Sequence, residues 1–343
     1  CDPELREPSV SSAERYVALA EKNSGSIPYP VKYSYPWGFT LDELNHRTPD
    51  FSLVNLETSV TTSDDFQSHK QIHYRMHPAG TEFLHVGGID VCCLANNHSL
   101  DFGETGLLET ISSLNREEIH PVGAGTNPSD AAAPATLRPK AGQRVIVFAT
   151  ATSSSGVPRH WSANESRPGI NRLDSPGEKK AHELAEKIEG YRKPSDLVIL
   201  SIHWGGNWGF DIPDNQQTFA KTLIDSGTVD LIHGHSSHHV KGIHVHDGKL
   251  ILYGCGDFLT DYEGISGHEE YRSDLGFMYF PELRSDSGRL KRLSLVPTKI
   301  SKFQLQRPND EEINWLRKTL NREGEPFGTT VTHTNQEELT VEW

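Results

Sequence analysis

Four short apolar runs in this chain each lead, on their C-terminal side, into residues able to hold a metal or move a proton. Phe51 to Leu56 brings Asn55 and Glu57. Ile89 to Ala95 runs into Asn96-Asn97-His98, with Asp101 beyond. Leu197 to Ile202 meets His203-Trp204-Gly205-Gly206, and Leu231-Ile232 opens into His233, His235 and His238. Short apolar runs with polar or glycine punctuation mark strands buried on both faces, as in parallel sheets. Such strands point one way, so their C-terminal ends share the edge where open α/β sheets place their sites. The pattern predicts a mostly α/β fold, with helices covering a sheet and one site along one edge.

Six histidines fall between His233 and His246, the densest such stretch in the chain. Neutral imidazole is a common ligand for transition metals and the usual acid/base group near neutral pH. A solvated His-rich loop is the competing explanation, and convergence with the other three runs favours a site. Within the stretch, His239, His244 and His246 are expected to face solvent or to lie behind the site. His69, His73 and His77 are expected to be ordinary loop residues.

Composition narrows the field. A formal charge of −14 over 343 residues, with no basic stripe to offset it, argues against nucleic acid as a partner. No run approaches the ~18 apolar residues that cross a bilayer. The four cysteines, Cys1, Cys92, Cys93 and Cys255, form no disulfide framework. Cys92 and Cys93 are adjacent in a strand-like run and point to opposite faces. A reducing, cytoplasmic location is expected, with a lipid-anchored, membrane-associated one as the alternative if Cys1 carried lipid.

Periodicity predicts helices over 11–22, 41–46, 76–87, 104–115, 178–191, 215–226 and 310–321, the last N-capped by Asn309. Further strands are expected at 145–150, 249–253, 276–281 and 289–297. The Ser/Gly/Pro-rich stretch from 151 to 177 has the character of an active-site loop or lid, or of a disordered connection. We expect one domain over 1–343, with 298–343 as a C-terminal extension of it.

Taken in order, VNLETSVT, LANNHSLDFGETGLLET, GAGTN, SIHWGGNW and HGHSSHHVKGIHVHDGKLILYGCGDF resemble the bacterial capsule-synthesis CapA family. That family is associated with poly-γ-glutamate production and is a branch of the calcineurin-like metallophosphoesterases. The resemblance spans about residues 35 to 262 and implies a four-layer α-β-β-α sandwich with a metal centre at the strand ends. By position, Glu57 matches the bridging carboxylate, Asn97 the metal-binding Asn and His98 the His that faces substrate. His203 matches the isolated metal His, and His235 and His238 fall in the terminal His motif. The implied ligand set is Glu57, Asn97, His203 and His238. Two departures stand out. Ser236 occupies a position where the family has His, and no first strand ending in Gly-Asp precedes Asp50. We therefore expect an N-terminal segment to be lacking, in preference to a lipidated Cys1.

Residue chemistry adds roles. A carboxylate bonded to one ring nitrogen fixes the tautomer and raises the basicity of the other, which pairs His98 with Asp101; the alternative is that Asp101 caps the helix near Glu104. Asp257 is the candidate carboxylate for His235, giving a second acid/base pair, while His238 ligates; alternatively His235 and His238 bind one metal together. Glu57, after an apolar run, needs a cation or donors, with Arg75 as the salt-bridge alternative. Asn55 is expected to be a hydrogen-bond donor, and Trp204 and Trp208 to pack. The His/Asn/carboxylate set suits Mn, Fe or Zn better than Mg or Ca. Three functions follow: hydrolysis of phosphoester-type bonds, epimerase-type proton transfer on a peptide or amino-acid polymer, or a noncatalytic, polymer-binding role in a membrane-associated synthase complex.

Overall fold

The computed structural model describes residues 5, 10–139, 142–335 and 337–343; Cys1 lies outside the described residues. In chain order the longer elements are α1 (Ala13–Ser24), α2 (Thr40–Arg47), β1 (Leu53–Asn55), β2 (Val91–Cys93), α3 (Gly103–Arg116) and β3 (His120–Val122). Then come β4 (Val145–Thr152), α4 (Glu178–Glu189), β5 (Leu197–His203), α5 (Asp214–Asp225), β6 (Leu231–His235), β7 (Ile243–His246) and β8 (Lys249–Leu252). The chain ends with β9 (Leu275–Leu283), β10 (Leu290–Ser301), α6 (Asp310–Gly324), β11 (Thr330–His333) and β12 (Leu339–Glu342). The fold is mixed α/β.

A parallel three-stranded sheet has the order β1-β2-β3. In the main sheet β4, β5, β6 and β8 lie side by side and parallel, and β7 adds antiparallel to β8 at one edge. The third sheet is antiparallel, in the order β9-β10-β12-β11. Strand side chains alternate between faces, and the main sheet uses both. Val198, Leu200 and Ile202 on β5 pack with Ile146, Ile232 and Ile251 under Leu184 and Ile188 of α4 and Phe219 and Leu223 of α5. Ile199 on β5 and Leu231 on β6 turn the other way, into the core shared with the other two sheets.

Register then sets the chemistry. Ser201 stands opposite His233 and His203 opposite His235, all on the face of Ile199 and Leu231, where the strands end. The outer edges of β1 and β9 pair with no strand among the described residues. Both border a cavity of about 1400 Å³, lined by Leu53 and Val54 of β1, Phe277 and Tyr279 of β9, and Ile199 and Leu231 of the main sheet.

Several expected elements are redrawn. Residues 76–87 are not one helix: Arg75–Met76 pairs with Ser59–Val60, a 3-10 turn covers Pro78–Thr81, and a helix covers only Glu82–Val86. Pro78 keeps His77 extended, at φ −69 and ψ 142, and the His77 side chain caps Ala79 N. The 151–177 stretch is not a bare loop. It holds 3-10 turns at Ser153–Ser155 and Arg159–Trp161, and its strand Arg172–Leu173 pairs with the end of β4. Asn309 does cap α6, in a capping box with Glu312. No helix among the described residues is long and apolar enough to cross a membrane.

Leu200 is fully buried between the main sheet and its helices. Leu200→Ala should lower unfolding free energy by about 2–5 kcal/mol, measured by denaturant titration. A loss below about 1 kcal/mol would show that this layer is loosely packed.

Candidate functional site

The loops after β1 and β2 are locked together by amides. Asn55 Nδ2 donates to Glu57 Oε2 (2.8 Å), while Asn96 Nδ2 donates to Asn55 Oδ1 (3.0 Å) and to the Leu56 carbonyl (2.9 Å). Glu57 Oε1 then lies 4.0 Å from His98 Nε2 and 3.9 Å from His203 Nε2. Burial pushes the Glu57 carboxyl up, but the charges of His203, His98 and His238 outweigh it and hold the group below the usual carboxylate range. Glu57, His98, His203 and His238 therefore share one pocket.

His98 Nδ1 lies 2.7 Å from Asp101 Oδ2 and 2.9 Å from Lys70 Nζ. Asp101 is fully buried and also accepts from Tyr74 N (2.8 Å) and from Lys70 Nζ. It does not cap α3, whose N-cap is Phe102 without a side-chain bond. Lys70 also donates to the Asn97 carbonyl; burial presses its pKa down against the pull of Asp101. Tyr74 stacks on the His98 ring with centroids 4.0 Å apart. Lys70 and Tyr74 escaped the reading of the sequence. Both lie in the polar 61–77 loop, where nothing in spacing or periodicity separates them from their neighbours. The loop's histidines divide: His73 is buried and hydrogen-bonds the Gln67 carbonyl at 2.7 Å.

The second His–Asp pair is not the expected one. Asp257 holds His238, with both carboxylate oxygens 3.0 Å from Nδ1, and not His235. β6 ends with His235 aimed at β5, and the backbone then turns at Ser236, at φ 114, carrying His238 across to Asp257. Ser236 donates to the Gly205 carbonyl (3.1 Å), so its side chain is engaged with the β5 loop. Burial lowers the His238 pKa, but the Asp257 and Glu57 carboxylates more than reverse that and leave it raised. His235 Nε2 instead lies 3.0 Å from Ser201 Oγ, and its Nδ1 lies 2.8 Å from His203 Nδ1. Burial pulls His203 and His233 down to about 4 and His235 well below its ordinary value.

His239 and His244 are buried, which removes the solvent-facing alternative for both. Tyr271 stacks on His239 at 4.6 Å, and Phe327 on His244 at the same distance; these rings supply apolar faces to the core. His246 bonds Asp225 at 2.6 Å. Arg75 pairs with Asp64 at 2.8 Å, which leaves Glu57 to the imidazoles. Trp204 is buried with Nε1 on the Tyr253 carbonyl (2.9 Å). Trp208 stacks on His268 at 4.1 Å and comes within 5.3 Å of the His238 ring, walling that side of the pocket. Tyr262, 5.4 Å from His238 and 5.9 Å from Tyr74, spans the two His–Asp pairs.

Three donors of different kinds stand near one another at the strand ends. His203 Nε2 is 3.0 Å from Asn97 Oδ1 and 3.9 Å from Glu57 Oε1, donor separations of the size one coordination sphere needs, given metal–ligand bonds of about 2.0–2.2 Å. These are one carboxylate, one amide and one imidazole. Among the described residues no group of three or more His, Cys, Asp or Glu closes tightly enough to hold a metal. The donors fit an ion with open positions; they do not form a closed cage.

Residues 9–262 match the family described as "Bacterial capsule synthesis protein PGA_cap". The chain belongs to this bacterial capsule-synthesis family. It is 42% identical over 330 residues to a "Probable polyglutamine synthesis accessory protein" of Mycobacterium tuberculosis, covering 96% of this chain and 87% of that one. It is 28% identical to the "PGA biosynthesis protein CapA" of Bacillus subtilis, over 63% of this chain and 54% of the relative. To the "Capsule biosynthesis protein CapA" of Bacillus anthracis it is 27% identical, over 63% and 51%. The α/β fold is consistent with the calcineurin-like superfamily.

The depressed histidines give this capsule-family protein an acid limit. His233, near 4 when folded against 6.5 when unfolded, binds fewer protons in the native state between those values, so its contribution is complete above pH 6.5 and lost as pH falls towards 4. Going from pH 7 to pH 5 should cost about 2 kcal/mol for this ring. His233→Phe should flatten that slope in denaturant titrations; an unchanged slope would show that the ring titrates normally.

Proposed function

We propose that this chain is a metal-assisted hydrolase of phosphoester-type bonds serving the synthesis of a polyglutamate-type polymer. The observation that carries the reading is the His98–Asp101 pair, whose Nε2 faces Glu57 beside the Asn97 and His203 donors. With Nδ1 committed to Asp101, Nε2 is the nitrogen left to take a proton from water or return one to a leaving oxygen. Lys70 and Tyr74 hold Asp101 and the His98 ring in place. Glu57, Asn97 and His203 would hold the ion, Mn, Fe or Zn by donor type, with His238 at its border. Bound there it would supply Lewis-acid polarisation and neutralise developing charge. The polymer context comes from relatives whose names cite polyglutamine synthesis and PGA biosynthesis. Work beside a membrane-associated synthase is part of the same proposal.

A second reading is favoured by the second pair, His238–Asp257. Two His–Asp pairs in one pocket suit proton abstraction and return at a Cα of a peptide or amino-acid polymer.

The experiment incubates the protein with Mn²⁺ or Zn²⁺ and an aryl phosphodiester, and separately with poly-γ-glutamate in D₂O. The first reading expects metal-dependent hydrolysis that His98→Ala lowers about 10²-fold or more, with the fold intact by circular dichroism. Deuterium at Cα without hydrolysis establishes the second reading. Polymer binding with neither reaction removes both and leaves an accessory role.

The reading also takes in an extended strand between β1 and β9. Their edges lack partners among the described residues and border one cavity that reaches Glu57. A strand there, ending in a carboxylate as the family pattern has it, adds a charged donor beside Glu57. Extending the chain by such a segment should tighten Mn²⁺ binding substantially in calorimetry, and Ser236→His should do less, because imidazole adds no charge. Equal affinity with and without the segment removes this element.

A further inference from the structure

The Ser/Gly/Pro-rich stretch from 151 to 177, expected as a lid or a disordered connection, lies against two donors that belong to different sheets. β5 ends at His203, and Gly205 and Gly206 after it would leave the chain free to fray unless something held it. Four polar groups past that end are each engaged, alternately from the β4 side and the β6 side. The His203 carbonyl accepts from Ser155 Oγ (3.0 Å), and Trp204 N donates to the His235 carbonyl (3.1 Å). Gly205 N donates to Ser154 Oγ (3.0 Å), and the Gly205 carbonyl accepts from Ser236 Oγ (3.1 Å). Ser155 is buried, and its hydroxyl also lies 2.9 Å from the Thr152 carbonyl, so one proton ties the ends of β4 and β5 together.

The same stretch touches Asn97. Gly156, at φ 76, comes close enough that a Cβ there would stand 3.7 Å from Asn97 Nδ2. Further on, the ring of the buried Trp161 lies 5.5 Å from Lys70 Nζ, which donates to the Asn97 carbonyl. The stretch is itself pinned. Ser153 N donates to the Asp174 carbonyl (3.2 Å), and Arg172 Nε donates to the Val157 carbonyl (3.1 Å).

We propose that Ser154 and Ser155 are positioning residues that hold His203 at its distance from Asn97, with residues 153–161 acting as a fixed brace between two sheets. The proposal rests on the reading of Asn97 and His203 as donors to one ion. Such donors have to be held within about 0.5 Å of the productive geometry. Asn97 follows β2 in the three-stranded sheet and His203 ends β5 in the main sheet, so no ladder of strand hydrogen bonds sets their separation. Serines in a turn usually bond nearby backbone, and these two also reach the exit of the neighbouring strand. Both act through the backbone around His203, at the point where the ladder stops.

The test uses the whole chain and the variants Ser154→Ala, Ser155→Ala and Ser155→Thr. Thr329→Ala is the control: it removes a buried hydroxyl bond, Thr329 Oγ1 to the Ile243 carbonyl (2.8 Å), on β7 at the edge of the main sheet. Calorimetry reads Zn²⁺ binding, and NMR reads the ion-free contact between the His203 ring and the Asn97 side-chain amide. Ser155→Ala should weaken Zn²⁺ binding about 10- to 100-fold, the usual cost of losing an outer-shell partner, and should weaken the ion-free contact. Ser154→Ala, at an exposed position, should do the same to a smaller degree, and it decides alone if Ser155→Ala fails to fold. Ser155→Thr keeps the hydroxyl and should restore both readings, while Thr329→Ala should lower the denaturation midpoint and leave both unchanged. Unchanged affinity and contact in the alanine variants, or an equal loss in Thr329→Ala, overturn the proposal. A wild type that binds no Zn²⁺ removes the metal reading alone, and the ion-free contact in the same variants then decides the role of the serines.

Discussion

A carboxylate partly buried just after an apolar strand needs positive charge or donors around it, and Glu57 obtains both from three other chain segments. His98 follows β2, His203 ends β5 and His238 follows β6, while Asn55 on its own strand donates to the second oxygen. Each of these groups is useful to Glu57 only if β1, β2, β5 and β6 end together. The parallel pairing of β1 with β2, and of β5 with β6, meets that requirement within each sheet. The shared apolar core holds the two sheets in place against each other. The polar centre is thus a consequence of sheet geometry as much as of residue choice.

The three imidazoles around Glu57 differ in what stands behind them, and that separates what each can do. Asp257 backs His238 and, with Glu57, raises its pKa, so its charged form is favoured. His235, a neutral ring, backs His203, whose pKa falls to about 4 under burial. One ring is suited to carry a proton and the other to offer a lone pair. Environments that push like groups apart are how one pocket divides acid from base work. His98 is backed differently again: Asp101 lies against its Nδ1, and Lys70 shares that carboxylate.

Much of this was legible in the sequence because it follows from local pattern. The runs before Glu57, Asn97, His203 and His235 announce strands, buried in β2, β5 and β6 and only partly covered in β1, and α4, α5 and α6 lie within a few residues of their predicted bounds. His98 with Asp101 was readable because three residues of spacing bring both onto one turn. Pairings set by tertiary register were not readable. Nothing in the motif after β6 says that the backbone turns at Ser236 and delivers His238, rather than His235, to Asp257. Lys70 and Tyr74 were hidden for a related reason: they reach the site from a loop whose path depends on the Ser59–Val60 and Arg75–Met76 pairing. The solvent-facing alternative for His239 and His244 failed because aromatic rings far along the chain, Tyr271 and Phe327, cover them.

Ser236 shows how one side chain can brace such a centre. The residue adopts φ 114, a conformation that a branched or bulky side chain tolerates poorly. Its hydroxyl ties the end of β6 to the Gly205 carbonyl after β5. The Ser236 side chain is thus a strut between two strand ends, where His203 and His235 stand opposite each other. Structural metal sites close around their ion, whereas catalytic ones keep a position open. Under the proposed function, a carboxylate, an amide and an imidazole would be an open set of the second kind, and any ion they held would be shared with whatever enters between Tyr74, Tyr262 and Trp208.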